Sequence, residues 1–199
     1  MRNHRVLALL GALIALNVLG RMLGPGFAGV EPIFALLILE GYAFGATLGA
    51  SLGAMSLVTS ALLLGGVGPW LPFQALGAAL VGAGVGVLPR FRSGALRMIT
   101  LSVWGIVSSY AYGAIVTVWQ WPLLTGSSSS LSYLPSGTIE ENAIRFLQYS
   151  LVSGGLLWDT GRAITTVIIL LIASKTILAA LERAANRLNL QKSVRKSER

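Results

Sequence analysis

Six long stretches of apolar residues, almost free of charged side chains, constrain the fold of this chain more than any other feature. A helix needs about 20 mostly apolar residues to cross the hydrocarbon core of a bilayer. Because backbone polar groups cannot stay unpaired in lipid, each stretch is predicted to be a helix. The stretches cover residues 5–23, 28–44, 46–65, 72–89, 97–121 and 152–178. We therefore predict an all-α, polytopic membrane protein with six transmembrane helices over residues 1–181 and a basic tail over 182–199.

Composition and motifs exclude several other classes of protein. Charged residues make up 11% of the chain, against about 25% in an average soluble domain. The net charge is +8, but no basic stripe alternates with aromatic residues, so nucleic acid is not an expected partner. The chain has no cysteine, its one histidine is His4, and it contains no phosphate-binding GxxxxGK[ST] sequence. Glu140, Glu141 and Arg145 match the EExxxR spelling of intramembrane proteases, but the histidines that those enzymes also need are missing. We therefore expect a non-catalytic protein without cofactor or metal.

The positions of the basic residues predict the orientation. Cytoplasmic loops of membrane proteins carry an excess of Lys and Arg. With a cytoplasmic N-terminus and six spans, twelve of the fifteen Lys and Arg residues fall on the inner side. These are Arg2, Arg5, Arg90, Arg92, Arg97, Lys175, Arg183, Arg187, Lys192, Arg195, Lys196 and Arg199. Both termini are therefore predicted to be cytoplasmic.

One substantial loop, residues 122–142, is predicted on the external side. It contains the Gly126–Ser130 tract and then Leu134, Pro135, Ser136 and Gly137. Such a segment could be a passive linker or a lid over an external pocket, and the sequence leaves both interpretations open.

Small residues form two stripes at helical spacing, and such stripes let helices approach closely in lipid. The second and third stretches carry Gly41, Gly45, Gly49 and Gly53, and a tight turn is expected among these glycines. The first stretch carries Ala8, Gly11, Ala12 and Ala15 on one face. Each stripe could serve packing inside the protein or docking of another membrane subunit.

Polar side chains at membrane depth are costly and mark candidate sites. Asp159 and Arg162 are three residues apart on one helical face, and tryptophans near the external side could be interfacial anchors or flat walls for a ring-shaped ligand. Glu40 lies deeper in the membrane. Each polar residue could instead satisfy a neighbour within the bundle. The predicted substrate-binding residues, which share the external side, are Asn17, Trp70, Gln74, Trp119, Asp159 and Arg162.

Three segments resemble the substrate-binding components of energy-coupling-factor importers, a type of ABC transporter. Ala8-Leu9-Leu10-Gly11-Ala12 matches the family's AxxxA motif, and residues 65–74 and 158–163 resemble segments of bacterial members. The resemblance implies a multi-pass protein of a prokaryotic plasma membrane that captures a vitamin-like small molecule, with cobalamin or a related compound favoured. It also implies a transmembrane coupling subunit that meets the AxxxA face and two cytoplasmic ATPases as partners. The alternatives are a stand-alone small-molecule transporter and a membrane scaffold without transport activity.

Overall fold

The computed structural model describes residues 2–23, 29–64, 66–91, 94–124, 130–188 and 190. Over these residues the chain forms seven helices and no strand, which confirms the all-α prediction. The helices are α1 (Arg2–Met22), α2 (Ile33–Phe44), α3 (Ala46–Leu64), α4 (Leu71–Gly86), α5 (Gly94–Leu124), α6 (Ile139–Val152) and α7 (Gly155–Arg187).

Four of the described helices, α1, α3, α5 and α7, are long and apolar enough to cross a membrane, which indicates a membrane-embedded protein. Two further apolar helices, α2 and α4, have 12 and 16 residues and are shorter than a full span. Nearly all of α2 is buried, because α3, α4, α5 and α7 pack around it. Its apolar character therefore serves the core of the bundle, and the count of six spans stays a prediction.

Helices α2, α3 and α4 pack so closely that their backbones are in contact at glycine residues. A Cβ atom added to Gly49 would overlap the backbone of Gly82, and one added to Gly53 would overlap that of Ala78. Gly41 of α2 also lies against the Gly82 carbonyl. Gly45, with a φ of 89°, is the single residue between α2 and α3, as the expected tight turn requires. For this stripe, the internal-packing interpretation is confirmed.

The segment predicted as an external loop is helical at both of its ends and non-helical over residues 130–138 in the part that the structure describes. α5 continues to Leu124, and α6 begins at Ile139 with a capping box in which the Thr138 hydroxyl accepts from the Glu141 N–H. The Glu141 carboxylate accepts in return from the Thr138 N–H at 2.8 Å. Of the Gly126–Ser130 tract, residues 126–129 lie outside the described residues. The prediction of a loop over 122–142 is therefore wrong at both of its ends.

Helix α6 marks one end of the bundle, which we call the α6 end. Helices α1, α3 and α5 finish there and α2, α4 and α7 begin there, so it corresponds to the predicted external side. At the opposite end, α7 continues to Arg187, six residues beyond the predicted boundary at 181, and Ala185 is fully buried. The first turns of the predicted tail are thus part of the bundle, and residues 191–199 lie outside the described residues.

Candidate functional site at the α6 end

A cavity of about 370 Å³ opens at the α6 end between α5, α6 and α7. Helix α5 contributes a tyrosine, a threonine and a glutamine, α6 contributes a tyrosine, and α7 contributes a tryptophan and an ion pair. These lining side chains are Tyr112, Thr117, Gln120, Tyr149, Trp158, Asp159 and Arg162. The cavity therefore combines aromatic walls with hydroxyl, amide and charged groups, as small-molecule sites do.

Among the described side chains that line the cavity, Arg162 makes the most hydrogen bonds. Its Nη1 donates to Asp159 Oδ1 at 2.5 Å and to the Ser109 carbonyl at 3.2 Å, and its Nε donates to Glu31 Oε2 at 2.6 Å. The guanidinium lies 4.9 Å from the ring centre of Phe34 and 4.8 Å from that of Tyr112. A cation in this position gains from both ring faces as well as from the two carboxylates. The pairing expected from the i, i+3 spacing of Asp159 and Arg162 is present.

Glu31 joins the site from the segment before α2 and was absent from the predicted set. Gly29, two residues earlier, has a φ of 77°, and a Cβ there would overlap the Trp158 carbonyl and crowd the Arg162 N–H. This close approach holds the segment against the first turns of α7 and brings the carboxylate to Arg162. In the sequence Glu31 resembles an ordinary charged residue near the start of an apolar stretch, and its partner lies 131 residues away.

Gly113 of α5 makes room for the Asp159 carboxylate. A Cβ added to Gly113 would overlap both carboxylate oxygens and the carbon between them. Asp159 is 6% exposed, so its carboxylate is held between the α5 backbone and the guanidinium. The absence of a side chain at Gly113 therefore shapes the cavity, and nothing in a stretch rich in small residues singles this glycine out.

Two carboxylates pair with the one guanidinium, but only Asp159 and Arg162 line the cavity, so the charges of its lining sum to zero. Glu31 and Asp159 are the carboxylates, and their side chains are 22% and 9% exposed. A lining without net charge favours a neutral ligand whose polar groups can hydrogen-bond with this pair. Among the residues that the structure describes, no group of three or more His, Asp or Glu side chains could hold a metal ion.

Asn17 and Gln74 lie in two polar clusters among α1, α2, α3 and α4, apart from the cavity. The Asn17 amide donates to Glu40 Oε2 at 2.9 Å and to Ser56 Oγ at 3.0 Å, and both partners are buried. Arg21 donates to Ser60 Oγ at 2.5 Å and to Gln74 Oε1 at 3.2 Å. These side chains satisfy neighbours in the bundle and do not line the cavity.

The two predicted tryptophans also lie away from the cavity. Trp119 stacks on Phe73 with ring centres 5.2 Å apart, and Trp70 donates its indole N–H to the Gly66 carbonyl at 3.0 Å. Asp159 and Arg162 are thus the members of the predicted set that the cavity brings together, and Trp158 is the tryptophan beside them. The prediction grouped residues by their depth in the membrane, which does not determine the side of the bundle that each one faces.

The small residues of α1 face outward. Ala8, Gly11, Ala12 and Ala15 are all exposed, and a Cβ added to Gly11 would meet nothing within 4 Å. The rest of α1 packs against α2 and α3. Within the described part of the chain, this stripe therefore contacts no other helix closely and remains a free surface.

Comparison with known proteins gives no assignment: no protein-family model, no curated protein and no solved structure matches the chain.

Proposed function

We propose that this chain is the substrate-binding subunit of an energy-coupling-factor type importer in a prokaryotic plasma membrane. The observation that carries the proposal is the cavity at the α6 end, which is lined by the Asp159–Arg162 ion pair and by the aromatic side chain of Trp158. A buried ion pair that borders an open cavity in a membrane bundle favours a binding role. On this proposal the α6 end faces outward and captures ligand before transport.

The size and charge of the cavity narrow the substrate class. A volume of about 370 Å³ lies near the lower limit for sites that hold drug-sized ligands, about 300–1,000 Å³. The balanced charges of Asp159 and Arg162 favour a neutral polar compound, and the Trp158 and Tyr149 rings favour one that contains a ring. We propose a small vitamin-like molecule. A corrinoid such as cobalamin is far larger than a drug-sized molecule and would require the cavity to open.

The exposed stripe on α1 is the proposed docking surface for a coupling subunit. Membrane helices associate through small residues because their backbones can then approach closely. Ala8, Gly11, Ala12 and Ala15 offer such a face without a partner helix among the described residues. Two cytoplasmic ATPases would supply the energy, since this chain has no phosphate-binding motif of its own.

The test replaces Ala8 and Ala12 with leucine in the full chain. We expect the variant to fold and to bind ligand as the wild type does, because both positions are exposed. It should no longer co-purify with a membrane subunit and ABC-type ATPases from the cell that produces it, and uptake should stop. The matched control replaces Ala111 and Ala114, two exposed alanines of α5, with leucine. This control should still co-purify with the membrane subunit and the ATPases.

Two outcomes would favour the alternative functions. Uptake by the Ala8 and Ala12 variant at the wild-type rate would indicate a stand-alone transporter. A wild-type chain that binds no small molecule and associates with no ATPase would indicate a membrane scaffold.

A further inference from the structure

A second cavity of about 370 Å³ lies at the end of the bundle opposite α6, between the first turns of α1 and the last turns of α7. We call it the basic cleft. Its lining combines three arginines with three apolar side chains: Arg5, Arg183, Arg187, Ala180, Ala184 and Leu188. Helices α1 and α7 do not pack directly against each other over the described residues, so the cleft separates them.

The positive charge of the basic cleft is not neutralised by the described part of the protein. Arg5, Arg183 and Arg187 form no ion pair there, and neither does Glu182, the neighbouring acid on α7. Arg183 and Arg187 are four residues apart on α7, a spacing at which like charges repel. The last nine residues of the chain, 191–199, carry four basic residues and one acidic residue, so their charge is also positive. An anion from outside the protein would remove this repulsion.

The apolar wall of the basic cleft and its level in the membrane indicate which anion would bind there. Ala180, Ala184 and Leu188 repeat every four residues, so they form one apolar strip along α7 beside the arginines. The 33 residues of α7 span about 50 Å, more than the hydrocarbon core of about 30 Å. The last turns of α7 would then lie at the level of the lipid headgroups. A phospholipid meets both requirements, since it carries a phosphate beside apolar chains.

We propose that the basic cleft binds the headgroup phosphate of an anionic membrane lipid, which bridges α1 and α7. Basic pockets between membrane helices are known binding sites for anionic headgroups, and the arginine fork matches phosphate oxygens. The bound lipid would hold the first turns of α1 in place relative to α7. The inference depends on the membrane setting alone and stands whether or not the chain is an importer subunit.

The test measures lipid binding to the purified full-length chain by native mass spectrometry, with phosphatidylglycerol and phosphatidylcholine as probes. We expect one phosphatidylglycerol to be retained in preference to phosphatidylcholine. Changing Arg183→Gln and Arg187→Gln together should weaken its binding by about 25-fold, because each basic residue near an anionic headgroup contributes about fivefold. Both side chains are exposed and repel each other, so the melting temperature in neutral lipid should not fall.

A control variant with the same loss of charge distinguishes binding in the basic cleft from general electrostatic attraction of the lipid to the protein. Arg90→Gln with Lys175→Gln also removes two exposed basic residues, but neither lines the basic cleft. This control should retain phosphatidylglycerol within about twofold of the wild type. Equal weakening in both double variants would overturn the proposal, as would full displacement of the lipid by inorganic phosphate at low concentration, which would indicate a site for a free anion.

Discussion

Removal of the Arg162 guanidinium should destabilise the protein strongly, because two carboxylates depend on it. In Arg162→Met, Glu31 and Asp159 would lose their only ion-pair partner among the described residues. Leaving a buried charge without its partner costs about 3–5 kcal/mol. Asp159, whose side chain is 9% exposed, should account for more of this cost than Glu31, which is 22% exposed. We expect Arg162→Met to lower the free energy of unfolding by about 3–5 kcal/mol.

A triple variant tests whether the stranded charges cause the loss. Adding Glu31→Gln and Asp159→Asn to Arg162→Met removes both carboxylates, and we expect it to restore at least half of the lost free energy. Non-additivity of this kind is expected for residues in one network. The assay is equilibrium unfolding in mixed micelles with a rising fraction of SDS, followed by tryptophan fluorescence. A triple variant as unstable as Arg162→Met, or a loss below about 1 kcal/mol in the single variant, would refute the reasoning.

Three further variants test the packing, the α6 cap and the cavity wall. Gly82→Ala should cost about 1–3 kcal/mol of unfolding free energy, because its Cβ would overlap the Gly49 backbone, whereas Gly11→Ala should cost nothing measurable in the same assay. Thr138→Ala should destabilise α6 by about 1 kcal/mol, seen as faster amide hydrogen exchange in its first turn; unchanged exchange would contradict the capping box. Trp158→Ala should weaken ligand binding in a titration, and Trp70→Ala should not, since only the first lines the cavity.

The apolar stretches predicted the long helices because lipid and backbone hydrogen bonding leave few other structures. Four of these stretches correspond to α1, α3, α5 and α7, with ends that differ by a few residues in most cases. Helix α6 was missed because it is short and amphipathic, and a search for uninterrupted apolar stretches does not detect such a helix. Its signal was the capping box of Thr138 and Glu141, which the sequence contains.

The site was predicted where its geometry is local and missed where it depends on the tertiary fold. Asp159 and Arg162 lie within one helical turn, so their pairing follows from spacing alone. Glu31 reaches Arg162 only because Gly29 lets the chain approach α7 closely. Asn17 lies in the half of α1 nearer the α6 end, but it faces Glu40 and Ser56 instead of the cavity. The side of the bundle that a residue faces depends on helix rotation and packing, which one sequence does not determine.

Native mass spectrometry of the chain purified from the cells that produce it tests the central claim most directly. We predict that the wild type and Gly11→Ala each carry one small molecule. Asp159→Asn should weaken binding at least tenfold, about 1.4 kcal/mol, and Gly113→Ala should also lose the molecule, because its Cβ would displace the Asp159 carboxylate. Melting temperatures measured alongside test whether both variants are folded. A wild-type chain without any bound molecule, or equal retention by folded Asp159→Asn and Gly113→Ala, would contradict capture of a ligand in this cavity.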